Sequence, residues 1–200
     1  MKHTPLAKVY PVLTYDDATH AYVLDGTPVP SVTAIISAVM NGWRKPQYPA
    51  GSGDKGRIVH LTCELDDTND LDEATLDPRL SGYLRAWRAW KSDHTPRWIG
   101  IEARVASVVH QYAGTFDRLA EIAGRHVLID IKSGRPRPEH ALQTAAYAIA
   151  YTEATGVVVH ERACVYIDAD GNYSVTYHEK SDDAAAFRGA RALYRWKEGA

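Results

Sequence analysis

The sequence predicts an α/β fold in which a central mixed β-sheet is flanked by helices. Residues 97–132 alternate apolar and polar side chains over long stretches, which is typical of strands. Segments with helical spacing surround this middle part, at residues 54–65, 76–91, 138–156 and 181–197. A strand-rich middle with flanking helices indicates a layered α/β arrangement.

The composition fits one globular domain in the cytoplasm. The chain has 200 residues, 45% of them hydrophobic, and no change of composition marks a second domain. We therefore expect one domain over residues 1–200, with an N-terminal hairpin, helix and loop at 1–50, a core at 54–180 and a C-terminal helix at 181–200. No apolar run approaches the ~18 residues of a membrane span, and the first residues lack an apolar signal core, so no membrane partner is expected.

The charges and cysteines narrow the class of protein. A net charge of −2 and a pI near 6.5 give no general signal for nucleic acid, although a local basic groove is compatible with them. The two cysteines, Cys63 and Cys164, lie in apolar segments. A secreted disulfide framework is therefore not expected, and reduced buried thiols in a cytosolic protein are the simpler interpretation.

The N-terminal quarter predicts a small hairpin followed by a helix. Residues 8–25 alternate short apolar and polar groups, as paired strands do. A helix then runs to Met40, with Ser31 as its N-cap. Free N–H groups and hydroxyls at a helix start can also hold a phosphate, so Ser31 has two open roles, capping alone and phosphate binding. Residues 41–55, rich in Gly, Pro and basic residues, predict a loop that is either a binding arm or a plain surface loop.

Two helices follow, separated by an acidic segment. Residues 54–65 have helical spacing and carry His60 on a face beside the apolar stripe. A lone histidine is more often structural than a metal ligand. The interpretation of His60 as a ligand therefore depends on the residues that follow it in the sequence. Residues 66–77 predict a solvated acidic loop, and residues 76–91 predict a packing helix rich in aromatic side chains.

The middle of the chain predicts a β-hairpin that carries acidic residues. Residues 97–110 alternate as a long strand, in which Glu102 faces either a functional site or a neighbouring arginine. Ala123-Gly124 suits a tight turn, and a turn centred there places Asp117 across from Asp130. Cβ atoms of such a pair lie about 4.5–5.5 Å apart. Two carboxylates this close repel unless a proton or a cation lies between them, and their hard oxygen ligands suit Mg²⁺ or Mn²⁺.

A lysine adds positive charge to the same face. Successive strand residues alternate faces, so Asp130 and Lys132 point the same way. A lysine beside a metal-held water molecule and a phosphodiester can orient the water, help to deprotonate it and stabilise charge on the phosphate. The next helix, residues 138–156, carries Gln143 and Tyr147 one turn apart, so both can act on one target. This arrangement suits metal-dependent cleavage of a phosphodiester.

The last part of the chain completes the sheet and adds a helix. Residues 157–168 and 173–179 have strand character, and the residues between them, Ala169-Asp170-Gly171-Asn172, form a hairpin turn signal. Residues 181–197 return to helical spacing and are expected to pack on the sheet.

An ordered set of these residues resembles a known family. The set is His60, Asp117, Asp130-Ile131-Lys132, Gln143 and Tyr147. It is similar to the RecB-like, phage-type exonuclease branch of the PD-(D/E)xK nuclease superfamily, whose members include the nuclease domains of RecB and AddAB, Cas4 and a mitochondrial genome-maintenance exonuclease. Residues 15–33 are similar to the entry segment of phage and mitochondrial members. The resemblance covers roughly residues 15–180 and implies a restriction-endonuclease-like core.

The resemblance also implies roles for the residues at the site. His60, Asp117 and Asp130 would be metal ligands, helped by the backbone carbonyl of Ile131. Lys132 would be the catalytic lysine. Glu102 lies where several relatives carry a helpful acidic residue. Nucleic-acid binding or support of the site would involve the following residues: Gln143, Tyr147, Ser31, Thr33, Arg135 and Arg137.

The implied cofactor is Mg²⁺, for which Mn²⁺ would substitute. Some relatives hold an iron–sulfur cluster with four cysteines, and no such cluster is expected in a chain with two. The implied partner is DNA with a free end, accompanied by a single-strand annealing protein or a helicase where one exists. The oligomeric state stays open.

The leading interpretation is a Mg²⁺-dependent DNA exonuclease that acts at strand ends in phage-type recombination, repair or replication. One alternative is a structure-selective or restriction-like endonuclease built on the same core, which a covalently closed circular substrate would separate from an exonuclease. The other alternative is a non-catalytic nucleic-acid-binding protein that keeps the fold, because a fold does not fix a function. Removal of Asp130 without any change in activity would support that alternative.

Overall fold

The described part of the chain begins with a small antiparallel sheet and a helix. A computed structural model of the protein describes residues 12–42 and 52–199. The first residues of the predicted hairpin and most of the predicted 41–55 loop lie outside this part. Strands β1 (Leu13–Asp16), β2 (Ala21–Leu24) and β3 (Thr27–Val29) pair in that order. Helix α1 (Val32–Met40) follows, and its N-cap is Ser31, whose hydroxyl accepts a hydrogen bond from the N–H of Ala34 at 3.0 Å.

A five-stranded mixed sheet forms the centre of the protein. Its strands, which pair in chain order, are β4 (Arg97–Ser107), β5 (Tyr112–Ile122), β6 (Arg125–Lys132), β7 (Glu161–Ile167) and β8 (Tyr173–Tyr177). All neighbours are antiparallel except β6 and β7, which are parallel and therefore need a long crossover connection. The predicted α/β fold with a central mixed sheet is confirmed.

The remaining helices cover the two faces of this sheet. They are α2 (Ser52–Thr68), α3 (Ser81–His94), α4 (Glu139–Thr155) and α5 (Asp182–Glu198). Helices α2 and α3 pack on one face through a buried cluster that includes Val59 and Trp87, and α1, α4 and α5 pack on the other through a cluster that includes Ile35 and Phe187. Within residues 12–42 and 52–199, no helix is long and apolar enough to cross a membrane.

The predicted register of the central hairpin is also found. Ala123 and Gly124 both have positive φ, 49° and 76°, as a two-residue hairpin turn requires. The ladder between β5 and β6 extends from this turn to the pair formed by Arg118 and Ile129. Asp117 and Asp130 occupy the next position of the same register. The turn therefore sets which two carboxylates face each other.

Strand β5 changes face at Asp117. Before this residue, the ring of Phe116 packs edge-to-face on Tyr151 of α4, with ring centroids 6.1 Å apart. After it, the Arg118 side chain lies on the opposite face, where it contacts Asp67 of α2. Side chains two apart share a face in a regular strand, so β5 is irregular here. Irregularities of this kind are common beside active sites, where they re-aim a side chain.

One prediction for the helical side of the sheet is wrong. The acidic segment 66–77 does not begin as a solvated loop, because α2 continues to Thr68 and carries Asp66 and Asp67 inward. Their side chains are only 7% and 0% exposed, and Lys91 of α3 donates to both at 2.6 and 2.7 Å. Burial of carboxylates is tolerated because cations lie beside them.

Candidate active site

Three side chains that could bind a metal ion come together from helix α2 and two strands of the sheet. His60 comes from α2, Glu102 from β4 and Asp117 from β5, and one ligand atom of each lies within 4.8 Å of the other two. The Nδ1 atom of His60 is 3.4 Å from Oδ2 of Asp117. The structure thus brings Glu102 into the same cluster as His60 and Asp117, rather than leaving it on a solvated strand.

The backbone around Glu102 explains its position. Ile101 pairs with Arg118 and Ala103 with Phe116, so Glu102 stands opposite Asp117 between them. Its φ is 45°, a left-handed conformation that costs a non-glycine residue about 1–2 kcal/mol. Such strain persists where the surroundings impose it, and it is concentrated at functional sites. Both strands are therefore irregular at the point where the two carboxylates meet.

The second part of the site is a buried ion pair on β6. Nζ of Lys132 lies 2.6 Å from Oδ2 of Asp130, as expected for two side chains on one face of a strand. Asp130 is 1% exposed. Its other oxygen, Oδ1, is buried and accepts no hydrogen bond from the described residues. A buried carboxylate oxygen without a partner is costly when ionised, so Oδ1 is suited to contact a cation.

Helix α4 holds the lysine from the other side. Lys132 donates through Nζ to Oε1 of Gln143 at 3.0 Å, and Gln143 donates through Nε2 to the hydroxyl of Tyr147 at 3.2 Å. The Tyr147 ring in turn packs against Gly114 of β5. Gln143 thus contacts Lys132 directly, and Tyr147 contacts Gln143, which agrees with a supporting role for both.

Gly114→Ala is expected to destabilise the fold and disturb this support. An added Cβ would lie 2.6 Å from Cε1 of Tyr147 and 3.2 Å from Cγ2 of Val32, both buried. Overpacking of this kind costs about 1–3 kcal/mol of unfolding free energy. Urea denaturation measures the loss, and Gly134→Ala is the matched control, because its Cβ would meet no described atom within 4 Å. Equal stability of the two variants would contradict the expectation.

The site charges act strongly on one another. Burial alone would raise the pKa of Asp117, but the charge and hydrogen bond of His60, the charge of Lys132 and the N–H of Ile131 hold it at about 2. Burial would lower the pKa of His60, and the charge of Asp117 raises it to about 9. Burial and the charge of Asp117 raise the pKa of Glu102 to about 7.

The carboxylate of Asp130 is also hard to ionise. Burial raises its pKa, and the charge of Asp117 adds to the effect, although Lys132 opposes it. Lys132 itself keeps a raised pKa, because the charges of Asp130 and Asp117 outweigh the cost of its burial. Without a metal ion, bound protons therefore reduce the negative charge of the site, and Lys132 balances part of the remainder.

This donor set fits a divalent metal ion. Carboxylate oxygens and one imidazole are ligands that Mg²⁺ and Mn²⁺ accept. His60, Glu102 and Asp117 each offer a ligand atom within 4.8 Å of the other two. Asp130 is not in this group, but its buried Oδ1 has no hydrogen-bond partner among the described residues, so it is a further candidate. The backbone N–H of Ile131 donates to Oδ2 of Asp117 at 2.6 Å and fixes the orientation of that carboxylate.

Affinity for a divalent metal ion is expected to rise with pH. Metal ligands must be deprotonated, so binding displaces the proton of His60 below pH about 9 and that of Glu102 below about 7. The logarithm of the association constant should rise by about one per pH unit between these values and more steeply below the lower one. Mn²⁺ titrations at constant ionic strength measure this slope. His60→Gln should remove the slope between pH 7 and 9, and a slope that this variant keeps would contradict the assignment.

The other predicted site residues lie further out. Ser31 bridges to Ala113, which comes four residues before Asp117 on β5, or roughly 13 Å along the strand at the usual rise. The hydroxyl of Thr33 lies 3.1 Å from that of Ser31. Arg135 is exposed just beyond β6. Arg137 is exposed too, but pairs with Glu139 at 3.1 Å.

Two residues at the site were not singled out by the sequence patterns. Cys164 of β7 stands beside Asp130 in the parallel ladder, and its Sγ lies 3.7 Å from Oδ2 of that residue. Arg118 is fully buried and donates to Glu102 at 2.9 Å. Its place directly after Asp117 was an available signal, whereas the contact of Cys164 depends on a register between strands far apart in sequence.

Comparisons with known proteins agree with this fold. A family model of the PD-(D/E)XK nuclease superfamily matches residues 33–195. Among curated proteins, no sequence matches the chain. A candidate exonuclease from Eubacterium rectale has a similar structure, with a TM-score of 0.52 and 8% identity over 80% of this chain and 70% of that chain. An alkaline exonuclease from Laribacter hongkongensis aligns with a TM-score of 0.43 and 15% identity over 82% and 85% of the two chains.

The family match spans most of the chain. It includes the candidate ligands and the residues around the lysine, namely His60, Glu102, Asp117, Lys132, Gln143 and Tyr147. The similar solved structure agrees with the restriction-endonuclease-like fold, in which a central mixed sheet is flanked by helices. The chain belongs to the PD-(D/E)XK nuclease superfamily, a family of hydrolytic nucleases that use divalent metal ions.

Proposed function

We propose that the protein is a Mg²⁺-dependent DNA exonuclease of the RecB-like branch, which hydrolyses phosphodiester bonds at DNA ends in phage-type recombination, repair or replication. One observation carries the proposal. A cluster of ligand atoms from His60, Glu102 and Asp117, all within 4.8 Å of one another, lies beside the buried pair of Asp130 and Lys132. Acid ligands next to a positioned lysine are the parts that metal-dependent phosphodiester hydrolysis needs.

The residues divide the work in the following way. His60, Glu102, Asp117 and Asp130 would hold the metal ion. When bound, Mg²⁺ would lower the pKa of a water molecule and neutralise charge on the phosphate. Lys132 orients the attacking water and stabilises the charge that develops on the phosphate. Gln143 accepts a hydrogen bond from Lys132, which limits the directions in which the ammonium group can point.

Two observations support DNA ends as the substrate. The sequence resembles phage-type exonucleases, and the similar structure from Eubacterium rectale is described as a candidate exonuclease. Exposed Arg135 and Arg137 follow the strand of Lys132 and can contact the phosphate backbone without reading bases. Cleavage should then weaken as salt is added, because backbone contacts release counterions.

The test is digestion of three substrates labelled at known positions: linear duplex, single strand and covalently closed circle. Each is incubated with Mg²⁺, with Mn²⁺ and with a chelator. An end-dependent exonuclease should release label from linear forms only, with either metal ion, and the chelator should stop the reaction.

Three results would contradict the proposal in different ways. Nicking of the closed circle would move the assignment to an endonuclease on the same core. Silence on all three substrates, with DNA binding retained, would favour a binding protein that keeps the fold. Digestion that persists in the chelator would remove the metal ion from the proposed mechanism.

A further inference from the structure

Arg118 is a buried arginine placed directly after a metal ligand. Its side chain has no exposed surface, although a guanidinium is one of the most costly groups to bury. Its Nε donates to Oδ2 of Asp67 at 2.7 Å. Its Nη1 donates to Oε1 of Glu102 at 2.9 Å and to the backbone carbonyl of Asp117 at 2.7 Å. One guanidinium therefore joins helix α2 to both strands of the metal cluster.

Asp67, which accepts the hydrogen bond from Nε of Arg118, is itself held by two further donors. Asp67 is fully buried, and besides Arg118 it accepts hydrogen bonds from Nε1 of Trp87 at 3.0 Å and from Nζ of Lys91 at 2.7 Å. Both donors belong to α3, so α2 and α3 fix the Asp67 carboxylate between them. The planar fork of a guanidinium transmits this orientation, because its N–H groups have fixed directions.

Nη1 of Arg118 contacts the Glu102 carboxylate, which must be oriented to act as a ligand. The Glu102 side chain is 27% exposed and stands on a strained backbone with a φ of 45°. A glutamate side chain has several rotatable bonds, and a partly exposed one would sample many orientations. The hydrogen bond from Arg118 fixes one carboxylate oxygen and leaves the other free to act as a ligand.

The geometry points to Arg118 as a positioning residue that holds the Glu102 carboxylate toward His60 and Asp117, and thereby raises the affinity of the site for a divalent metal ion. The inference rests on the proposed function only in that the cluster binds such an ion. Residues that hydrogen-bond to a metal ligand commonly change the affinity of the site for the metal ion by about 10–100-fold. Arg118 would exert its effect through Glu102 and not by touching the metal.

Arg88 shows what a purely structural arginine in the same network looks like. It pairs with Asp66 and Glu73, both at 2.6 Å, and its side chain is 43% exposed. Neither of these partners is a residue of the His60, Glu102 and Asp117 cluster. Arg88→Lys is therefore the matched control for Arg118→Lys, because both variants keep the charge while losing the fork.

The test is Mn²⁺ binding without DNA, measured by electron paramagnetic resonance or calorimetry on the whole chain. Arg118→Lys is expected to lower Mn²⁺ affinity by about 10-fold, because a lysine cannot bridge Asp67 and Glu102. Arg88→Lys should leave the affinity unchanged. In a Glu102→Ala background, Arg118→Lys should cause no further loss, since the group through which it acts is gone.

Asp67→Asn provides a second route if Arg118→Lys does not fold. It keeps the volume at position 67 and removes the charge that holds the far end of Arg118, so it should lower Mn²⁺ affinity in the same direction. An unchanged affinity in both variants would overturn the inference, as would a loss that is equal with and without Glu102. Because DNA is absent, a chain that binds Mn²⁺ normally but cuts nothing would count against the proposed function alone.

Discussion

Lys132→Ala is expected to slow phosphodiester hydrolysis by about 10²–10⁴-fold while the protein still binds a divalent metal ion. The ammonium group lies 2.6 Å from Asp130 and 3.0 Å from Gln143, so two elements aim it at one place. Its pKa is raised, which keeps it charged at neutral pH and suits it to stabilise negative charge on a phosphate. The substitution removes none of the residues proposed to hold the metal ion.

Single-turnover digestion of end-labelled DNA measures this loss, and Mn²⁺ titration of the same sample measures metal binding. Removing Lys132 leaves Asp130 without its neutralising cation, so the affinity for Mn²⁺ should stay the same or rise. Lys180→Ala is the control, because Lys180 is exposed and lies outside the site. A variant that loses metal binding and activity together would show that Lys132 supports the structure of the site and not the chemistry.

The parts of the site that were predicted from sequence are local. A turn at Ala123-Gly124 fixes the register of the central hairpin, and the register places Asp117 beside Asp130. Strand alternation then puts Lys132 on the face of Asp130, and helical spacing puts Gln143 one turn from Tyr147. Each of these inferences needs only a short stretch of chain, which is why periodicity and turn chemistry were sufficient.

The parts that were not predicted depend on distant segments. Asp67 and Arg118 are 51 positions apart, and an acidic stretch normally indicates solvent exposure. Burial becomes possible only because Trp87 and Lys91 supply donors from another helix. Glu102 was predicted as a candidate for the site, but its exact position depends on a left-handed backbone conformation and on the irregularity of β5, which the sequence patterns did not predict. Local rules therefore recovered the carboxylate pair but not the network that orients its neighbour.

Asp117→Asn is expected to abolish both metal binding and cleavage. The Asp117 carboxylate is the centre of the charge network, since it lies 3.4 Å from His60, faces Glu102 and accepts the N–H of Ile131. An amide can keep the Ile131 hydrogen bond but brings no negative charge to a metal ion. The loss of Mn²⁺ affinity on removal of a direct ligand should exceed ~100-fold, the upper range for residues that contact only the ligands. Without the several kcal/mol that a metal ion contributes, cleavage should fall by about 10³-fold or more.

The matched control is Asp183→Asn, which neutralises another buried carboxylate, paired with Arg162 at 2.9 Å. It should leave Mn²⁺ affinity and cleavage unchanged, even if it lowers stability. Mn²⁺ titration and digestion of linear duplex are measured on both variants, with urea denaturation as the check on folding. Together with Lys132→Ala, the three variants separate the functions of the site. Asp117→Asn should lose the metal ion and the reaction, Lys132→Ala only the reaction, and Asp183→Asn neither, because Asp117 and Lys132 stand on different strands and act on different atoms.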